Sequence, residues 1–436
     1  MKNEAFKSIG GRVRNYRLNR GFSQDELAEG ICSRQTISFL ENGQHLPSPE
    51  FLKKIADRLG VPFHEIMIDD TDELSAKIKL EVINIYIERN EYTRALDLID
   101  HLQNSQELLE YQKRELELSK VDCLLGTNQP DAALEALTDL QMRLELQREP
   151  DDHLMAVVYN KLGTANYRLW NISNAHAHYM RAYQLTLRFQ GIDVTAARIA
   201  YNLGMASRLL NLNTDAVQYL SVSENFFKDI SDLDKLAHTW FELGIAYQSM
   251  GDLGEAEKYL QEAHTLYKSQ NALRFARLVK ESYAFTVLSK QDPDKAIDEM
   301  FECAKETEHD GDLKQVAYIH ARIAKLLIGQ KRLTEAEKVL EKALTLFTEK
   351  EASSCLHFVH VYQSFAEYLC EIKQYEKSIQ YSYLASDLFD KMGFIKDAAE
   401  SLSTAVNAFR YQGMFEQALE VSDRVCNMLR RATHLR

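Results

Sequence analysis

A phrase written three times between Tyr159 and Ala263 constrains this chain more than anything else in it. Tyr159-Asn-Lys-Leu-Gly163 is followed by Ala175, Tyr179 and Ala182, and Tyr201-Asn-Leu-Gly204 by Ala216, Leu220 and Ser223. Phe241-Glu-Leu-Gly244 is followed by Ala256, Leu260 and Ala263. In each copy a glycine precedes an alanine by twelve residues, and the next anchors fall four and seven residues later. Anchors at i, i+4 and i+7 share one face of a helix. The pattern predicts a helical hairpin in which the first helix carries a small residue where its partner crosses. The second carries alanine at the same crossing, so the two backbones approach. A hairpin of this kind cannot bury its apolar stripe alone, so successive copies stack into a solenoid.

Extending the register gives Ala95, Ala133, Ala175, Ala216, Ala256, Ala296, Ala336, Ser378 and Ala418, in steps of 38, 42, 41, 40, 40, 40, 42 and 40 residues. The order of large apolar, Leu-Gly, Tyr, Ala, aromatic and Ala positions resembles the tetratricopeptide repeat. A period near 40, against about 34 for that repeat, implies helices of about 17 residues rather than long loops. The expectation is an all-α protein whose residues 75–436 form a right-handed α-solenoid of about nine tetratricopeptide-like hairpins.

Glycine (17) and proline (6) are sparse and 45% of residues are hydrophobic, as a mostly helical protein requires. No apolar run approaches the ~20 residues that span a bilayer, and Met1-Lys-Asn-Glu-Ala5 has no signal-peptide core. A cytoplasmic location with no membrane contact is therefore expected. Six scattered cysteines without a Cys-x-x-Cys pair fit reduced thiols. The pairs His176/His178 and His357/His360 have no cysteine or acidic partner at a metal-site spacing, so they read as helix-surface histidines; neither metal nor cofactor is expected.

The net charge of −13 argues against nucleic acid until it is divided. Residues 1–68 hold ten Lys/Arg against eight Asp/Glu, a balance of +2; the rest hold 42 against 57, a balance of −15. A cationic head on an acidic body is read domain by domain.

In the head, a basic helix around residues 4–19 is followed by Ser23-Gln-Asp-Glu26, a capping box that starts a short helix with Leu27 and Ala28 inward. Gly30-Ile31-Cys32 breaks it, and Ser33 caps a second helix, Arg34 to Asn42, closed by Gly43. Ile37, Leu40, Leu52, Ile55 and Leu59 repeat at helical spacing and are core. A last helix begins at Pro62-Phe-His-Glu-Ile66, and Asp69-Asp-Thr-Asp-Glu73 reads as a charged joint in a linker of residues 69–74. Two short helices across a tight turn describe a helix-turn-helix. The order Ser-Gln-x-Glu-Leu-Ala, Ile-x-Ser, Ile-Ser, Leu-Glu-Asn-Gly, Pro49 and Ile55-Ala56-x-x-Leu59 resembles the Xre or lambda-repressor-like DNA-binding domain. Cys32 in the turn departs from that pattern.

Arg34, Gln35 and Thr36 open the recognition helix and are the candidates for base edges, arginine pairing with guanine and glutamine with adenine. Gln24, Ser38, Asn42, Arg12 and Arg14 are placed for phosphates. The resemblance implies that Arg17 and Glu41 form an internal ion pair.

The first helix of each hairpin faces the concave side of a solenoid. There the central repeats place Asn160, Arg168, Arg198, Tyr201, Asn202, Arg208 and His238. Amides bond both edges of an extended backbone and arginine clamps a carboxylate, a suitable lining for a short peptide. Head and body together resemble the RRNPP family of peptide-sensing regulators from Gram-positive bacteria. That resemblance implies quorum-sensing control of transcription by a secreted and re-imported peptide, a double-stranded operator with two half-sites, and a homo-oligomer, dimer or tetramer. It also implies, in some members, a response-regulator partner of the sporulation phosphorelay, so a solenoid adaptor that inhibits a protein partner is the alternative reading. No phosphate loop, activated nucleophile or metal cluster is present in the sequence, so no enzyme is expected.

Overall fold

The computed structural model describes residues 9–44, 48–67, 73–105, 108–146, 151–348, 351 and 355–434. Among them every regular element is helical. Contacts divide the chain into two compact units, residues 1–140 and 141–436, and the division falls inside the helix Pro130–Glu145.

The first unit opens with five short helices, α1 (Ile9–Asn19), α2 (Gln24–Ala28), α3 (Arg34–Glu41), α4 (Pro49–Leu59) and α5 (Phe63–Met67). Their ends follow from local chemistry. Ser23 and Glu26 form the reciprocal capping box that their spacing predicts, Ser33 accepts from the Thr36 amide, and Gly60 ends α4 with φ 65°. Val13, Leu27, Ile37, Leu40, Leu52, Ile55 and Leu59 are all within 1% of full burial. The expected joint at residues 69–72 lies outside the described residues. On either side of it the head packs on the first hairpin, Glu73–Glu88 with Tyr92–Ser105. The Phe63 ring meets Tyr86 edge-on at 6.5 Å, and Lys53 reaches Glu91 at 3.2 Å with its ammonium 5.8 Å from the Tyr86 ring. One hydrophobic cluster runs from Val13 through Tyr86 to Cys123.

The described residues hold nine antiparallel helix pairs after the head, the second of them crossing the unit division. Most helices run 14 to 18 residues, the length that the 40-residue period demands. The alanines and the serine of the register are buried throughout, Ala95, Ala133, Ala175, Ala216, Ala256, Ala296, Ala336 and Ser378 completely and Ala418 to 4%.

The repeated glycine stands where the second helix crosses, as expected, a Cβ on Gly204 falling 3.2 Å from the Ala216 carbonyl oxygen, and it also makes room for a side chain. Nearest to it is the bulky anchor four residues past the alanine. A Cβ on Gly163 would lie 2.5 Å from the Tyr179 ring, one on Gly204 2.6 Å from Leu220 Cγ, and one on Gly244 2.8 Å from Leu260. The first helix is hollowed so that a large side chain can fill it.

The second unit also meets itself. The turn after Val194–Leu209 touches the turn before Ile395–Tyr411: Lys396 Nζ lies 3.3 Å from Asn211 Oδ1, 185 residues away in sequence. Trp170, held at φ 61°, packs on Phe394 with ring centroids 5.8 Å apart, and Ile172, Leu209 and Leu210 join the same cluster.

Candidate functional site

Two surfaces carry functional side chains, one in each unit. In the head, α3 is fixed from both ends. Ser33 caps its start, and its last residue, Glu41, is clamped by Arg17 through Nε at 2.5 Å and Nη2 at 2.9 Å. The Arg17 Nη1 also donates to the Phe22 carbonyl at 2.8 Å, and Gln24 Nε2 to Glu41 Oε2 at 2.8 Å. Glu41 holds the Arg17 guanidinium in its charged form. Arg58 bonds the Glu26 and Glu29 carbonyls at 3.0 and 2.8 Å and so closes the end of α2. Gly10 lets α1 cross α3 closely, since a Cβ there would lie 1.9 Å from the Leu40 carbonyl oxygen.

With the scaffold satisfied, Arg34 and Gln35 stand exposed at the start of α3, and Arg34 leans on Asp25 of α2 only loosely, at 3.6 Å. Thr36 turns its hydroxyl to Ser33 at 2.9 Å; Ser38 sits a turn later, 3.5 Å from Asn42, which is exposed, as is Arg14. Two of the expected phosphate contacts point inward instead. Gln24 is engaged with Glu41, and Arg12 donates from Nε to the Ile66 carbonyl at 2.8 Å, tying α1 to α5.

In the second unit a cavity of about 550 Å³ opens among the first helices of six successive pairs: Val194–Leu209, Leu233–Met250, Leu273–Tyr283 with its continuation, Leu313–Gly329, Leu356–Glu371 and Ile395–Tyr411. A π-helical turn, Ala284–Leu288, interrupts the third of these and places Phe285 on the wall. The Arg322 guanidinium lies 3.8 Å from the Phe285 ring centre and donates to both Glu281 oxygens at 2.8 and 3.0 Å. Burial lifts Glu281 above the usual carboxylate range although Arg322 opposes it. Lys325 bridges Glu367 at 3.3 Å and Glu400 at 2.8 Å. Asp397 is pushed up to about 6 by burial and then by Glu400, and His360 down to about 4 by burial, so this imidazole is neutral at pH 7.

One lining group is left waiting. Gln363 is 4% exposed; its Oε1 pairs with His360 Nδ1 at 3.2 Å, while its buried Nε2 has no hydrogen-bond partner. A buried donor without an acceptor is costly, and this one sits within the cavity wall. Among the described residues, no group of three or more His, Cys, Asp or Glu side chains is placed to hold a metal ion.

Of the seven residues expected to bind peptide, Arg208 alone lines this cavity, and it is paired with Glu242 at 2.5 Å. Asn160 and Asn202 bond each other at 2.9 Å on neighbouring first helices. Tyr201 is half-buried, and burial raises its phenol. His238 is packed between helices, 2.7 Å from the Tyr267 hydroxyl and edge-on to Phe275. Arg168 and Arg198 are exposed. The histidines need a correction as well: His357 and His360 are not on the outer surface but line the cavity, because its wall is built from their helix face. Glu281, Tyr318, Arg322, Lys325, Gln363, Asp397 and Glu400 were not singled out from sequence. A signal for some of them exists: Tyr318, His360 and Glu400 each stand eighteen residues before their register residue, 336, 378 and 418, and so form a column across three first helices.

Comparison with known proteins follows the same division. The helix-turn-helix family matches residues 13–66, and the tetratricopeptide repeat matches residues 237–269 and 317–349. The chain is 24% identical over 277 residues to the transcriptional activator NprA of Geobacillus stearothermophilus, covering 62% of this chain and 66% of that one, just under two thirds of its length. It is 37% identical over 67 residues to an uncharacterized HTH-type transcriptional regulator of Archaeoglobus fulgidus, covering 15% of this chain and 96% of that protein. Among solved structures, a Rap protein complexed with competence and sporulation factor superposes with TM-score 0.67 at 12% identity, covering 84% of this chain and all of that one. The apo quorum sensor NprR of B. thuringiensis superposes with TM-score 0.60 at 11% identity, covering 82% and 99%. At these identities the structural likeness concerns the fold. No helix among the described residues is long and apolar enough to cross a membrane.

Proposed function

The chain belongs to the helix-turn-helix transcription regulators and has the two-part architecture of the RRNPP family, and on that footing we propose that a short imported peptide, held in the body's cavity, controls its binding to operator DNA. Arg34 and Gln35 read base edges, and Arg14, Ser38 and Asn42 hold phosphates. A single head reads only a few base pairs, so useful affinity takes two heads on two half-sites of a double-stranded operator, hence a homo-oligomer. Such a regulator works in the cytosol.

The observation that carries the peptide reading is a cavity of about 550 Å³ lined by the Gln363 amide, aromatic rings and internally paired charges. The neutral His360 beside that amide and the Gln248 and Gln315 amides suit an extended backbone. Solved structures of the same fold include a Rap protein complexed with competence and sporulation factor and NprR in complex with its cognate peptide NprX. A peptide shifts DNA affinity only by as much as it prefers one curvature of the body over another.

The test selects duplexes from a randomised pool with the full chain, then adds synthetic peptides encoded by short secreted reading frames beside the gene. Two half-sites are expected, with an affinity that moves with one peptide and does not move in Gln363→Leu. Selection of no common sequence would remove the DNA reading; peptide effects that survive Gln363→Leu would remove the site.

The second reading, a body that grips a protein partner such as a response regulator, draws on the fold shared with the Rap protein. It is distinguished by pull-down with the full chain carrying Arg34→Ala and Gln35→Ala, which leaves the body intact while the reading head is silenced.

A further inference from the structure

Phe39 is 42% exposed, and it stands on the helix that carries the base-edge candidates. At about 100° per residue, Gln35, Phe39 and Asn42 fall within about 60° of one another around the axis of α3, opposite the buried Ile37, Leu40 and Glu41. The core does not hold this ring, for the head's hydrophobic cluster omits Phe39. The end of α3 is a Schellman turn, in which the Gly43 amide donates to the Leu40 carbonyl at 3.0 Å and the Gln44 amide to the Phe39 carbonyl at 2.9 Å. In such a turn a large residue at the place of Phe39 commonly packs on an apolar residue at the place of Gln44. Here that place holds an exposed polar side chain.

The neighbours of this ring decide what covers it. Arg34, Gln35, Ser38 and Asn42, the side chains that would meet base edges and phosphates, surround Phe39 in the helical register, so DNA bound by this face covers the ring as well. A phenyl ring laid against a phosphate or a polar base edge strips water from that group without giving it a hydrogen bond, which is costly. The apolar group that a base pair shows in the major groove is the C5 methyl of thymine. We propose that Phe39 seats against a thymine methyl and so selects a T·A pair at one position of each half-site. Phe39 lies about 6 Å further along the helix axis than Gln35, which places this thymine about two base pairs from the pair that Gln35 reads. The inference rests on the DNA-reading face of α3 and adds to it a base that no hydrogen bond specifies. Since 5-methylcytosine carries its methyl group at the same place in the groove, it recovers part of the contact where unmodified cytosine does not.

The test takes duplexes selected by the full chain from a randomised pool and replaces each thymine of the half-site in turn by deoxyuridine, which removes the methyl group alone. The wild type is expected to lose about fourfold in affinity at one of these thymines, the worth of burying one methyl group. Phe39→Ala is expected to bind the thymine and uridine duplexes equally, with an unchanged salt slope because no phosphate contact is lost. Phe39→Leu keeps part of the discrimination. Exchanging that T·A pair for C·G weakens the wild type, and 5-methylcytosine in the exchanged pair restores part of the loss. Amide exchange of head peptides is expected to be the same in Phe39→Ala as in the wild type, the ring lying outside the core. Uridine accepted at every thymine, or a preference for thymine that survives in Phe39→Ala, overturns the proposal and leaves the DNA reading in place. A Phe39→Ala chain that loses affinity equally for every duplex and self-associates differently in sedimentation makes the ring a protein contact and overturns it too. Selection of no common sequence removes the DNA reading and this inference with it.

Discussion

Replacing Glu41 by Gln tests whether the reading helix is held by charge or by packing. Glu41 is the last residue of α3, its side chain 2% exposed, and it receives two bonds from Arg17 and one from Gln24. Hydrogen bonds to charged groups contribute about 1.5–3 kcal/mol each, and removing one partner of a buried pair costs about 3–5 kcal/mol because the other charge stays buried. Glutamine keeps one acceptor oxygen and Arg17 keeps the Phe22 carbonyl, so the expected cost is about 2–3 kcal/mol. That amounts to roughly a hundredfold in the local opening equilibrium. Arg17→Met leaves the Glu41 carboxylate with Gln24 alone and costs at least as much. The double change Arg17→Met with Glu41→Leu removes both charges and recovers stability to within about 1 kcal/mol of wild type. A two-unit chain does not unfold in one step, so the assay is amide hydrogen exchange of head peptides read by mass spectrometry. A Glu41→Gln cost below about 0.5 kcal/mol, or a double variant as unstable as the sum of the singles, would refute the reasoning.

Other perturbations separate roles that the head and body share out. Arg34→Ala or Gln35→Ala is expected to flatten sequence preference by about 1–3 kcal/mol at one position, whereas Arg14→Ala weakens all duplexes alike and lowers the salt slope by about 1; filter binding across salt concentrations distinguishes them. Gly163→Ala drives a methyl into the Tyr179 ring and costs about 1–3 kcal/mol. Gly254→Ala, in a helix with its nearest neighbour 3.7 Å away, gains up to about 1 kcal/mol, and thermal melts should rank the pair in that order. Asp397, raised to about 6 in the fold, keeps its proton between its ordinary value and that pH while the unfolded chain releases it, so its burial lowers stability as pH rises through this window. Asp397→Asn should therefore stabilise by up to about 2 kcal/mol above pH 6, the gain fading towards pH 4 in chemical unfolding curves.

The head was legible because its signals are local. Ser23 with Glu26, Ser33 with Thr36 and the Ile37/Leu40 spacing each act within one turn, and the structure repeats them. Arg58 was not legible: it closes α2 from 29 to 32 residues away, and no spacing rule connects the two. The same blindness misdirected Arg12 and Gln24, whose partners, Ile66 and Glu41, come from other helices. In the body the alanine register located every hairpin, since small residues at helix crossings are obligatory wherever two backbones approach. The cavity was not legible in the same way, because no single hairpin contains its wall. Asn160 to His238 follow one another along the chain, whereas the wall joins Arg208 and Asn211 to Phe394 and Glu400 through curvature accumulated over the intervening repeats.

That return of the stack upon itself has a mechanical consequence. An open spiral can spread or tighten at any joint independently, but once Asn211 and Leu210 rest on Lys396 and Phe394 the intervening hairpins form a loop, and a tilt at one joint must be absorbed by the rest or prise the seam apart. Trp170 leans on Phe394 there, from a turn position whose positive φ is repeated at Asn211, Ser231, Asn271, Lys331 and Lys373 around the circuit. A small change in angle at one joint of the wall is therefore shared by the others or by the seam.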